Sequence, residues 1–185
     1  MMKASDKRER LVRSAKDLIH EHGYNQTTLA DIAEAAAVPL GNVYYYFKTK
    51  EEIATAVIYE RVQEIRGKLR AWDELPDPRQ RLIRFVDMVA RQRHTLATSG
   101  CAIGSLCQEL NKERSSLSEK ADDILNTQLN WMTTQFRLLG KRDATDLGHE
   151  LMAMLQGISL LANALNSPNV VNRQVRRLKG WLRTL

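Results

Sequence analysis

Within Gly41-Asn42-Val43-Tyr44-Tyr45-Tyr46-Phe47-Lys48-Thr49-Lys50, three phenols, one amide and two ammonium groups fall inside ten residues. These side chains suit phosphates and base edges rather than bond-breaking chemistry. Tyr44, Tyr45 and Tyr46 carry hydroxyl donors on stiff rings that can reach phosphate oxygens. Asn42 offers an amide that matches adenine or backbone oxygens, and Gly41 lets a backbone approach the bases closely. Lys48 and Lys50 can neutralise phosphates. Thr28 adds a hydroxyl at a helix start, where free amides attract an anion. The same aromatic run also suits the core of a small domain, Tyr44 and Phe47 especially.

Other reactive residue types do not assemble into an enzyme. His20 and His22 stand two apart on one helix, so they face apart and cannot share a metal, while His94 and His149 are isolated. HExxH, P-loop, GxGxxG and GxSxG patterns are missing, and Asp122-Asp123 reads as a solvated pair. No enzymatic role, metal or cofactor is expected. Cys101 and Cys107 make no disulfide framework, which fits a reducing cytoplasm. On a shared helix the two sulfurs would stand about 9 Å apart along the axis and could not bridge.

The elements that must position these groups are helices. Leu11, Ala15, Leu18 and Ile19 form the stripe of a first helix that ends at Gly23, a left-handed cap. Thr28 and Asp31 form a capping box for a second, burying Leu29, Ile32, Ala33 and Ala36. A third runs from about Leu40 to Tyr46, and Thr49 with Glu52 caps a fourth. Pro76 and Pro78 break the chain. A fifth helix carries Leu82, Phe85, Val86 and Val89 and stops at Ser99-Gly100. A sixth runs from Cys101 to about Asn111, and a seventh, capped by Ser116 and Glu119, ends at Gly140. Two final helices carry apolar residues at alternating gaps of four and three, from Leu147 to Leu165 and from Val171 to Leu185. The expected fold class is all-α, with about nine helices.

The segment Thr28–Lys50, with its two short helices across a tight turn, resembles the DNA-reading module of the TetR family of one-component bacterial repressors. The likeness covers roughly residues 6–55. It implies a three-helix DNA-binding domain with a helix-turn-helix at 1–50. A helical ligand-binding and dimerisation domain would fill 51–185, the fourth helix joining the two. On this resemblance Thr28, Gly41, Tyr45 and Lys50 fall at DNA-contacting positions, while Tyr44 and Phe47 also pack the domain. The turn departs from the family pattern: where the family has Gly, a hydrophobic residue and a Ser or Thr cap, this chain has Ala37-Val38-Pro39-Leu40. A hydroxyl cap and a phosphate-contacting cation are thereby absent, and Leu40 is free to touch a thymine methyl.

The net charge of +6 is permissive rather than decisive. Residues 1–50 carry eight Lys/Arg against six Asp/Glu, whereas residues 169–185 carry five cations and no acid. No apolar run approaches the length of a membrane span, and the amino-terminal stretch Met1–Arg8 has no apolar leader core. A cytoplasmic protein is expected. Its partners would be double-stranded DNA with a palindromic operator, a small-molecule inducer and a second copy of itself, with no membrane.

The carboxy-terminal seams have two readings, an ordinary internal face or a four-helix bundle between subunits. The resemblance favours the second, with Leu151, Met154, Ile158, Leu161, Val175, Leu178 and Leu182 as interface candidates. Phe85, His94, Cys101, Trp131, Met132, Phe136 and Met154 are candidates to line an inducer pocket, or are plain core. Gly100-Cys101-Ala102-Ile103-Gly104 resembles a segment in a subset of the family, some of which sense electrophiles or oxidants. A helix start would favour the Cys101 thiolate, and burial as a small hydrophobe is the competing reading. A repressor released by an inducer or by modification of Cys101 is the leading expectation. The alternative is a dimeric scaffold on this fold that no longer reads DNA.

Overall fold

The computed structural model describes residues 4–113 and 116–185. The leader reading at residues 1–3 lies outside them. The fold is all-helical: α1 Ala4–His22, α2 Leu29–Ala35, α3 Leu40–Tyr46, α4 Lys50–Asp73, α5 Pro78–Arg91, α6 Arg93–Ser99, α7 Ala102–Lys112, α8 Ser118–Leu138, α9 Ala144–Ala164 and α10 Pro168–Thr184. Only Gln92 separates α5 from α6, and its φ of −88° and ψ of 10° make a single turn. Counted as one kinked helix, the pair gives the nine expected. α8 starts at Ser118, later than the Ser116–Glu119 spacing predicts. Buried Leu117 precedes it and accepts the Ala121 N–H at 2.9 Å. No helix among the described residues is long and apolar enough to cross a membrane.

The chain forms two compact units. The first comprises Met1–Gln63 and Ala102–Ile124, so α7 belongs with the helix-turn-helix although it lies far along the chain. Its buried residues include Leu11, Ala15, Ile32, Val43, Phe47, Ile53, Val57 and Leu110. α1 closes at Gly23, whose φ of 89° is available to glycine without strain, and the Gly23 N–H bonds to Ile19 O at 3.0 Å. The turn after α2 is tighter than its sequence suits. Ala37 sits at φ 48°, a left-handed conformation costing a residue with a Cβ roughly 1–2 kcal/mol. Ala37→Gly should therefore stabilise the protein by about 1 kcal/mol, read as a higher denaturant midpoint at unchanged slope.

The second unit comprises Glu64–Cys101 and Leu125–Leu185. Asp77 caps α5 by accepting the Arg79 N–H at 2.9 Å, with Pro78 in the first turn. Trp72, Phe85 and Trp131 cluster with ring centroids 5.7–6.0 Å apart. The Trp131 indole donates to Asp73 Oδ1 at 2.9 Å, and Arg81 bonds to Leu75 O and Gln135 Oε1. α8 and α9 approach closely at Gly148, where a Cβ would stand 2.7 Å from Thr133 Oγ1. α10 lies against α5, α6 and α9, tied by a 2.7 Å ion pair from Lys179 to Asp87.

Candidate nucleic-acid interface

Residue types set the geometry of the helix-turn-helix. Thr28 and Asp31 form a full capping box: Asp31 N–H donates to Thr28 Oγ1 at 3.2 Å, and Thr28 N–H donates to Asp31 Oδ2 at 2.8 Å. The Thr28 hydroxyl also donates to Asp31 at 2.7 Å, and these bonds hold the Asp31 carboxyl below its ordinary pKa. The hydroxyl expected to meet an anion thus already serves α2. From α1, the Arg10 guanidinium reaches the turn and donates to Ala36 O and Ala37 O.

α3 follows from Pro39, which caps it without a side-chain bond. Val43 and Phe47 are buried, so they fix the helix to the domain. The opposite face is open. Leu40 is 41% exposed, Tyr44 46% and Tyr45 78%, with Gly41 and Asn42 also exposed and nothing within 4 Å of a Cβ placed on Gly41. Tyr46 is half-buried and meets the Tyr45 ring edge-on, centroids 5.1 Å apart. Leu40, Gly41, Asn42, Tyr44 and Tyr45 are therefore all exposed along α3, Leu40 and Tyr44 one turn apart on the same side.

The two lysines have partners within the protein. Lys48 Nζ donates to Tyr44 O at 2.6 Å, closing the end of α3. Lys50 Nζ turns inward and donates to Tyr24 O at 3.0 Å and Asn25 O at 3.2 Å, 4.4 Å from the centre of the Tyr24 ring. Both ammonium groups donate to backbone carbonyls and so help to hold the domain's shape. Glu109 supports the loop before α2, and sequence reasoning missed it. From α7 its carboxylate accepts the Tyr24 and Asn25 N–H groups at 2.8 and 2.7 Å, and Glu113 accepts from the Asn25 amide. Glu109 on α7 and Glu113 just past its end, four residues apart, gave no sequence signal beyond a solvated helix face.

Burial, followed by the charges of Glu51, Glu113 and Glu109, pushes the Tyr24 phenol from 10.0 up to about 12. The folded state thus holds this proton more tightly than the unfolded chain does. The stability it contributes is complete below pH 10 and is lost as pH rises from 10 towards 12. Denaturant midpoints should fall between about pH 9.5 and about pH 11.5, and fall less in Tyr24→Phe.

The inducer candidates occupy different surroundings within the described residues. Phe85 and Trp131 belong to the aromatic cluster, Met132 and Phe136 are fully buried, and His94 is exposed. Cys101 stands one residue before α7, half-buried, after Gly100 at φ 71°, and its Sγ accepts from Gln156 at 3.7 Å. Cys107 is buried and its thiol donates to Ala121 O at 3.2 Å. The interface candidates divide as well. Leu151, Ile158, Val175, Leu178 and Leu182 are buried within the subunit, whereas Leu161 is 49% exposed. Met154, Leu161 and Trp181, with Ile158 and Leu178 at its floor, line a groove of about 450 Å³ along α9 and α10, and Leu160 and Leu165 are exposed beside it.

Residues 11–57 match the family described as bacterial regulatory proteins, tetR family. Over 181 residues the chain is 26% identical to an uncharacterised HTH-type transcriptional regulator in the lacX 3' region of Lactococcus lactis subsp. lactis, covering 93% of this chain and 91% of that one. The fold is similar to a TetR transcriptional regulator from Legionella pneumophila, with TM-score 0.85 and 19% identity over 98% of this chain and 97% of that one. It is also similar to the reduced form of NemR from E. coli, with TM-score 0.79 and 18% identity over 94% and 96% of the two chains.

Proposed function

This chain belongs to the TetR family of transcriptional regulators, and from that premise we propose that it is a homodimeric repressor of a palindromic operator, released by a small-molecule inducer. Residues 1–50 would read the DNA, and residues 51–185 would dimerise and sense. The observation that carries the reading is the outward face of α3, where Leu40, Gly41, Asn42, Tyr44 and Tyr45 stand exposed on a helix anchored by buried Val43 and Phe47. Such a face is wasteful in water and fits a major groove.

One domain makes few contacts, so useful affinity calls for two copies whose recognition helices meet half-sites one turn apart, about 34–36 Å. The unpaired groove on α9 and α10, with Leu160, Leu161 and Leu165 exposed, supports a second copy there. Release by a ligand is then a shift between dimer states. A 100-fold loss of operator affinity needs about 2.7 kcal/mol of coupling. Modification of Cys101 is a second route to release. Its half-buried position, one residue before α7, supports this route.

The test is selection of bound fragments from the source genome by the purified protein, with and without a thiol-reactive quinone. A recovered palindrome is the expected result, its binding falling about 10³- to 10⁵-fold between about 50 and about 200 mM salt. Release by quinone in wild type but not in Cys101→Ser would assign the cysteine route, and indifference would assign a non-covalent inducer. Recovery of no specific sequence would overturn the repressor reading in favour of a scaffold.

A further inference from the structure

The chemistry of α3 limits which bases it can select. Guanine presents two acceptors, O6 and N7, to the major groove and is read best by the paired donors of Arg or by Lys. α3 is Leu-Gly-Asn-Val-Tyr-Tyr-Tyr and holds no charged side chain. The cations around it are already committed. Arg10 donates to the turn carbonyls Ala36 O and Ala37 O, and Arg8 lies 5.2 Å from the centre of the Phe47 ring. Lys48 closes the end of α3 on Tyr44 O, and Lys50 holds Tyr24 O and Asn25 O.

What remains on the open face is apolar surface, the Asn42 amide, and the Tyr44 and Tyr45 hydroxyls, which suit phosphate oxygens. Leu40 occupies the first turn with 41% of its surface exposed, and Tyr44, one turn on and on the same side, is 46% exposed. Nothing lies within 4 Å of a Cβ placed on Gly41, so at that position the helix backbone itself can approach the bases closely. The feature of the major groove that matches an exposed aliphatic side chain is the thymine C5-methyl, and the base edge that matches Asn42 is adenine N6/N7.

We propose that α3 selects an A·T-rich half-site, with Leu40 reading a thymine methyl as the specificity-determining contact and Asn42 reading adenine, and with no guanine read from this helix. The proposal rests on the DNA-reading function proposed above and specifies its substrate. Leu40 acts by excluding water from the methyl group, so its effect depends on that one carbon and not on charge.

The experiment uses the selected operator with each half-site thymine replaced singly by uracil, which removes only the methyl group. At one position per half-site, wild type should bind the uracil operator about fivefold more weakly. Leu40→Ala should bind the thymine operator more weakly by a similar factor and should not distinguish uracil from thymine there. The uracil measurement on wild type stands even if a variant folds poorly. Indifference of wild type to uracil at every position would overturn the proposal. So would an equal uracil penalty in Leu40→Ala, or an invariant guanine in the α3 contact region whose replacement by 7-deazaguanine weakens binding. Failure to select any sequence would instead overturn the DNA-reading function beneath it.

Discussion

Leu161→Glu is expected to convert the proposed dimer into a monomer and to weaken operator binding by about 10³. Leu161 is 49% exposed on α9, beside exposed Leu160 and Leu165 and on the rim of the groove that Arg177 and Trp181 close from α10. In a twofold interface each substitution appears twice, so a carboxylate here would lie desolvated on both copies, close to its symmetry mate. The loss of DNA binding follows from linkage. If the dimer binds at about 10⁻⁹ M and the second half-site is met at an effective concentration of about 10⁻³ M, one domain alone binds at about 10⁻⁶ M. Sedimentation velocity would report the change of mass, and anisotropy with labelled operator the change of affinity. Leu138→Glu is the control, since Leu138 is 59% exposed at the end of α8, outside the groove. A Leu161→Glu protein that remains dimeric would move the interface off this face.

The seam that suggested this interface shows how far the sequence could be read. Leu151, Ile158 and Leu161 share an alternating four-three spacing, yet the first two are buried within the subunit and the third is not. A strict 3.5-residue repeat drifts around a 3.6-residue helix, so periodicity identifies an apolar stripe without saying which of two neighbours covers each part. Local signals transferred better. The Thr28–Asp31 box, the left-handed Gly23 and the Thr49 cap, whose Oγ1 accepts the Glu52 N–H at 3.2 Å, each depend on residues within one turn of each other. The strained Ala37 was legible as a departure from the family turn, though its φ of 48° was not. The grip of α7 on the loop between α1 and α2 was illegible. Glu109 meets Tyr24 across 85 residues and bonds to backbone, so neither spacing nor side-chain complementarity betrays it. The bonds of Lys50 were illegible for the same reason, because a lysine on a carbonyl looks in sequence like a lysine awaiting a phosphate.

Glu109→Gln should weaken operator binding by about tenfold without unfolding the protein, although Glu109 touches no proposed DNA-contacting side chain. The Tyr24–Asn25 backbone is held from both sides: its N–H groups by the Glu109 carboxylate on α7, its carbonyls by the Lys50 ammonium on α4. Each hydrogen bond to a charged group contributes roughly 1.5–3 kcal/mol when shielded. Because Glu109 is only half-buried, about 2 kcal/mol for the pair is the fitting scale. Glutamine keeps the length and one acceptor oxygen but turns an NH2 towards the second N–H, so one bond is lost and the other weakened. The loop leads directly into Thr28 and α2, and its loosening gives the recognition helix more orientations to lose on binding. Amide exchange at Tyr24 and Asn25 should accelerate in the variant, while exchange at buried Leu11 and Ala15 stays as in wild type. Unchanged protection at Tyr24 would show that the carboxylate does not hold the loop. The same scale bears on induction. The coupling needed for a 100-fold release, about 2.7 kcal/mol, is close to what these two bonds supply.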